Sequence, residues 1–345
     1  MNSDTERIET EQQLEELLTR PGPQLCDFIR NVSSPLLVLG AGGKMGPTLA
    51  VLARRAAVTA GHELDVIAVS RFSDGRMRSW LEDQGVRTRS CDLFNRDAVR
   101  QLPEAQNILY LVGLKFGTAR NPASTWAVNT VVPSRVLERY SGARFVALST
   151  GNVYPFTSVK GGGALEEDSL TPVGEYANAA VARERIFEFH SREDGTAAVL
   201  LRLSYAVELR YGVLVDIAER VFAGGDIHLG NGWFNCIWQG DANDMAIRSL
   251  ALAETPPSSW NLCLPQPYSV REIAGQLGEL MGRKPRFIGV EADTALLANS
   301  KRICERLGTP PVSMDRMLPW IGAWVARGGR SLGKPTHFEV RDGKY

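Results

Sequence analysis

The chain has 345 residues, 44% of them hydrophobic, which accommodates one large α/β domain or a nucleotide-binding core with a smaller appended lobe. Its 39 Lys and Arg balance 39 Asp and Glu, so no overall field favours nucleic acid or an anionic membrane, and no apolar run approaches the ~20 residues of a membrane span. The five cysteines (26, 91, 236, 263 and 304) form no Cys-x-x-Cys pair and the four histidines are dispersed, which disfavours a disulfide framework and a metal centre and fits a reducing cytoplasm.

Residues 1–7 lack the basic-then-apolar order of a signal peptide. Residues 1–34 read as a helical leader outside the nucleotide fold: 11–18 is charged and leucine-bearing, Pro21-Gly22-Pro23 interrupts it, and 25–29 resumes. This leader either packs on the core or mediates dimer contacts. Next, Leu36-Leu37-Val38-Leu39 runs straight into Gly40-Ala41-Gly42-Gly43-Lys44-Met45-Gly46. That junction reads as a dinucleotide cradle. Gly40 permits the tight turn, Gly43 lets the backbone approach a pyrophosphate, and Gly46 lets the following helix pack on the sheet, with its N–H groups facing the phosphates.

From Pro35 onward strands over 36–40, 65–70, 86–90, 107–112, 144–149 and 197–203 alternate with helices over 47–60, 75–84, 96–102, 123–140 and 175–190. The alternation predicts an α/β fold with a doubly wound, Rossmann-type parallel sheet over 35–204 and its ligand over the carboxyl ends of the strands. After 204 it weakens, and Gly, Trp and Pro become frequent. Residues 205–345 are therefore expected to form mainly a smaller substrate lobe, with about 236–262 returning to the core. Gly161-Gly162-Gly163 is either a mobile loop beside the substrate or a plain turn. Gly-x-Ser-x-Gly is absent, which argues against an α/β-hydrolase.

With these segments in this order, the chain resembles the extended short-chain dehydrogenase/reductases, the group that includes nucleotide-sugar epimerases and dehydratases, over roughly 36–290. Gly40, Gly43 and Gly46 match that group's glycine loop, which also contains Lys44 and Met45. Asp92-Leu93 matches its adenine-contacting pair. Gly113-Leu114-Lys115 looks like the Gly-Leu-Lys of UDP-galactose 4-epimerases, which implies that Lys115 reaches the cofactor phosphates or nicotinamide ribose. Ser149-Thr150-Gly151-Asn152-Val153-Tyr154 is similar to the Ser-Ser-x-x-Val-Tyr segment; this places Thr150 at the catalytic Ser/Thr position, although a strand-end hydroxyl can also simply cap a turn. Tyr176 follows as the candidate acid/base. The resemblance also implies a homodimer built on the helices around 123–140 and 175–190.

Three departures qualify the match. The family's Tyr-x-x-x-Lys reads Tyr176-Ala177-Asn178-Ala179-Ala180 here, so the ammonium that normally lowers a phenol from about 10 is missing. Two substitutes are possible from spacing, Arg183, seven residues after Tyr176 on the same helical face, and Lys115 from the loop after the fourth strand; Lys115 is preferred, because Ala182-Arg183-Glu184-Arg185 reads as a solvated ion-pair face. The second strand ends in Ser70-Arg71 rather than a carboxylate, which favours the 2′-phosphate of NADP, with NAD the alternative. Both guanidinium and asparagine anchors for a nucleotide diphosphate are missing from Arg202-Leu203-Ser204-Tyr205 and from 234–241; Tyr205, Trp233, Phe234 and Trp238 either offer aromatic surface to a small molecule instead or pack in a core. The expected activity is an NAD(P)-dependent oxidoreductase or epimerase of a small, non-nucleotide hydroxy or keto compound. The alternatives are a nucleotide-binding sensor or scaffold, or a non-redox isomerase or dehydratase with Tyr176 as a neutral acid.

Overall fold

The structure, a computed structural model, describes residues 7–115 and 121–344. Its main sheet has seven parallel strands: β1 (Leu36–Leu39), β2 (Val66–Ser70), β3 (Arg87–Ser90), β4 (Asn107–Tyr110), β5 (Arg144–Thr150), β6 (Ala197–Leu203) and β7 (Ser258–Leu262). They lie in the order β7-β6-β5-β4-β1-β2-β3, a Rossmann-type arrangement. Leu36–Leu39 pairs with Val66–Val69 on one side and with Asn107–Tyr110 on the other. The strand order therefore reverses between β1 and β4, and a ligand crevice opens beyond their carboxyl ends.

β1 is apolar at every position because both faces of the sheet are covered. Leu36 and Val38 point into a core shared with the helix Gly46–Ala60, whereas Leu37 and Leu39 point to the opposite face, with Phe145 and Phe187. On that second face the helices Pro122–Arg139 and Gly174–Asp194 pack against each other.

A further core lies between the helices Val213–Ala223, Val270–Met281 and Met314–Ala326. The leader helices link it to the sheet: Leu14 and Leu18 of Glu11–Leu18 are buried in this second core, and Leu25 and Ile29 of Pro23–Ile29 in the first. The chain returns to the sheet through the helix Gln239–Arg248, which packs on Gly46–Ala60, and through edge strand β7. The triple glycine is a turn pinned at its end: Gly163 has φ 86°, and Ala164 bridges Ala298.

Candidate active site

Gly40 ends β1 with φ 84°, in the left-handed region, and a Cβ there would stand 3.0 Å from the backbone leaving β4. At Gly46 a Cβ would fall 2.5 Å from Ala41 Cα, so the helix starts in direct contact with the loop. Gly43 is exposed on the open side. The helix Gly46–Ala60 has proline in its first turn and no side-chain cap at Met45, leaving its first N–H groups for an anion. A loop without side-chain bulk, closed on its strand and open over an uncapped helix, fits a dinucleotide pyrophosphate.

Two cavities of about 350 and 270 Å³ meet at this loop and share Gly40, Gly43, Leu111, Val112 and Gly113. Ser70, Arg71, Asp92 and Leu93 line the larger one. Asp92 Oδ1 accepts the Phe94 N–H at 3.0 Å and shapes the turn after β3. Asp74 also faces this cavity, but its carboxylate accepts the Arg76 N–H at 3.0 Å and caps the helix Gly75–Asp83.

The smaller cavity gathers Thr150, Tyr176 and Lys115 with Lys44, Asn152 and Arg183. Thr150 ends β5; its hydroxyl accepts the Asn152 N–H at 3.2 Å and donates to Asn152 Oδ1 at 3.0 Å, so it caps the short turn Gly151–Val153 while lining the cavity. Tyr176 stands in the first turn of Gly174–Asp194 and is 9% exposed. The Lys115 ammonium lies 5.3 Å from the centre of the Tyr205 ring, and desolvation lowers its pKa to about 8 against a partial offset from Asp216. Lys44 reaches across to donate to the Ala206 carbonyl and lies 3.9 Å from the centre of the Tyr211 ring. Burial lowers it to about 7, opposed by Glu208.

The solvated face expected for Arg183 is corrected. Seven residues are two helical turns, so Arg183 falls on the buried side of the helix with Tyr176 and is 3% exposed. Its Nη1 donates to Asn129 Oδ1 at 2.7 Å and to the Val112 carbonyl at 3.2 Å. A Cβ at Gly113 would stand 2.7 Å from that nitrogen, so the missing side chain there makes room for the guanidinium. The exposed ion pairs of this helix are instead those of Arg185 and Arg192 with Glu188. Ala180 is packed against Val153, Tyr154 and Ala298.

Behind Thr150 runs a buried polar network. Ser149 Oγ donates to Glu184 Oε1 at 2.5 Å, and Arg202 donates to both Glu184 oxygens at 3.1 and 2.8 Å. Arg202 also reaches the Tyr154 hydroxyl at 2.7 Å and the Glu166 carbonyl at 2.9 Å, and Tyr154 donates to Asn261 Oδ1 at 2.8 Å. Burial pushes Tyr154 up to about 12. Arg202 is shifted upward: burial opposes its charge, but Glu184 outweighs it.

Of the two readings of the aromatics, core packing holds for Phe234 and Trp238, which belong to the second core, while Trp233 pairs with Ser269 and Tyr205 lines the cavity. Tyr211 and Asn235 join it without any local motif to announce them, since their place depends on second-lobe packing. Among the described residues no group of His, Cys, Asp and Glu could hold a metal ion, and no helix is long and apolar enough to cross a membrane.

The family model described as NAD dependent epimerase/dehydratase family matches residues 36–207. The fold is similar to that of UDP-glucuronic acid 4-epimerase of Bacillus cereus in complex with UDP-glucuronic acid and NAD (16% identity, 85% of this chain, 99% of that chain, TM-score 0.70). It is similar also to UDP-glucose 4-epimerase of Thermotoga maritima with UDP-glucose (19%, 85% and 99%, TM-score 0.68) and to a putative epimerase of Burkholderia cenocepacia (18%, 86% and 99%, TM-score 0.70). No curated protein sequence matches the chain.

Proposed function

The chain belongs to the NAD dependent epimerase/dehydratase family, and on that premise we propose that it is an NADP(H)-dependent oxidoreductase or epimerase of a small, non-nucleotide hydroxy or keto compound. The observation that carries this reading is a single cavity that brings Thr150, Tyr176 and Lys115 to the mouth of the glycine cradle. A bound nicotinamide supplies the exchange of hydride with the substrate carbon. Thr150 and Tyr176 then bind the reacting oxygen. When a carbonyl is reduced, the Tyr176 phenol passes its proton to that oxygen; in the oxidative direction the phenolate takes the proton back. Lys115 from the mouth and Arg183 from beneath Gly113 supply the positive charge that Ala180 cannot, and so favour the phenolate during the cycle.

For the adenosine end, Ser70 and Arg71 at the end of β2, with Asp74 engaged by Arg76, suit a 2′-phosphate better than a free ribose diol. A nucleotide diphosphate in the substrate position is disfavoured because Arg202 is committed to Glu184 and Phe234 is core. In cofactor-stripped protein, NADPH is expected to quench tryptophan fluorescence on binding. A panel of sugars, sugar acids and aromatic ketones is then read both by nicotinamide absorbance and by stereochemical inversion. Tight NADPH binding with absence of both signals across the panel overturns the enzyme reading in favour of a sensor; turnover without any dinucleotide overturns the hydride role.

A further inference from the structure

Three cationic side chains, Lys44, Lys115 and Arg183, line the smaller cavity, and its described lining includes no Asp or Glu. The phosphate bridge of a dinucleotide belongs where the two cavities meet, at Gly40, Gly43 and Gly113. The Lys44 ammonium does not stay there: its side chain leaves the loop for the opposite wall, at Ala206 and Tyr211. Lys115 stands over the preceding residue of that same wall, Tyr205. The nearby carboxylates have other partners. Glu208 holds the Arg210 Nε with both oxygens at 3.3 and 3.2 Å, and Asp216 Oδ2 accepts two hydrogen bonds from Thr336.

Asn235 adds an independent observation. It is 1% exposed and lines the cavity; its Oδ1 accepts the Ala298 N–H at 2.9 Å, which fixes the amide orientation. Its Nδ2 is buried with no hydrogen-bond partner among the described residues. A buried donor left unmade is costly, and this one shares with lysine side chains a cavity whose described lining carries no carboxylate, so the cavity favours an acceptor that arrives from outside.

We propose that Lys44, Lys115 and the Asn235 amide form a site for an anionic group, carboxylate or phosphate, carried by the substrate itself. The inference rests on reading this cavity as the substrate half of the groove. It narrows the substrate from a hydroxy or keto compound in general to an acidic one. Desolvation of both lysines in the ligand-free protein is consistent with it, since a bound anion would restore their charge.

The test uses the full chain. NADPH binding is titrated first; its absence overturns the functional reading, while anion binding to the unloaded protein remains measurable. The NADPH-loaded protein is then titrated calorimetrically with glucose, glucuronate, glucose 6-phosphate and UDP-glucose at constant ionic strength. Glucuronate or glucose 6-phosphate is expected to bind at least about tenfold more tightly than glucose, and the tighter of the two identifies the anion. Lys44→Met and the near-isosteric Asn235→Asp are each expected to remove about tenfold or more of that preference while NADPH affinity is kept; Lys44→Arg restores part of it. Equal binding of charged and neutral sugars overturns the proposal. So does a loss in the lysine variants that falls on NADPH, or UDP-glucose binding more tightly than either small anion through the same lysines.

Discussion

Glu184→Gln removes one charge from a pair that the fold has almost wholly excluded from water. The side chains of Arg202 and Glu184 are 6% and 3% exposed, with a closest contact of 2.8 Å. The substitution leaves the guanidinium buried with its charge uncompensated and takes a charged acceptor from Ser149. Breaking such a pair from one side costs about 3 to 5 kcal/mol, because the remaining ion still bears its desolvation. For a chain of this length that corresponds to a fall in melting temperature of roughly 4 to 7 °C. Replacing both partners, as Glu184→Leu with Arg202→Met, removes both desolvation penalties and should lie within about 2 kcal/mol of wild type. Urea denaturation of wild type, Glu184→Leu, Arg202→Met and the double variant gives the coupling directly. A cost below about 1 kcal/mol for Glu184→Gln, or a double variant whose loss equals the sum of the singles, would falsify the account of a coupled buried network.

Gly46→Ala places a Cβ 2.5 Å from Ala41 Cα, a backbone atom that cannot swing away. The loop must shift, and dinucleotide affinity is expected to fall by roughly 10- to 100-fold in a fluorescence titration; wild-type affinity would refute the close packing. Lys44 and Lys115 titrate near 7 and 8 when folded against 10.5 in the reference state, both through desolvation. Between those values the unfolded chain holds more protons, so ligand-free stability should rise as pH rises from about 7 to about 10.5. Lys44→Met should flatten that rise in pH-dependent melting curves, and an unchanged slope would place the titration elsewhere. Phe338 is 1% exposed in the second lobe's core, and Phe338→Ala should cost about 3 to 5 kcal/mol. The same tail ties Arg341 to Thr294 and rests Gly343 on Val173 and Gly174, immediately before Tyr176. Turnover should therefore fall more than NADPH affinity; an equal loss of both would point to general unfolding.

The nucleotide core is legible in the sequence because its signals are local. A four-residue apolar strand, a glycine loop with proline just inside the helix, and strands recurring between helical patterns need no distant partner to be read, and Thr150 and Tyr176 are embedded in short segments of the same kind. Arg183 is only half legible, for the opposite reason: its spacing puts it on the Tyr176 face, but its burial is set by distant parts of the chain. Ala182-Arg183-Glu184-Arg185 looks like a charged surface, but the helix Pro122–Arg139 covers it, bringing Asn129 to Arg183. β5 and β6 bring Ser149 and Arg202 to Glu184. Lys44 reads as part of the loop, whereas its side chain is directed by Ala206 and Tyr211, more than 160 residues away. Trp238 and Phe234 read equally as site or core aromatics, because nothing nearby in sequence shows the second core that takes them.

The buried place of Arg183 explains how a site without the family lysine can retain positive charge. Ala180 is enclosed by Val153, Tyr154 and Ala298, whereas Arg183 lies one turn further on, beneath Gly113. Its guanidinium is held by Asn129 and the Val112 carbonyl. On the proposed reading, Arg183 contributes a fixed field that costs no reorganisation during reaction. Lys115 and Lys44, depressed toward neutrality, are the charges that respond when an acidic substrate enters. On that reading the two kinds of cation have separate roles: Arg183 supports proton transfer at Tyr176, and the adjustable pair makes binding of an acidic substrate weaken as pH rises above about 7.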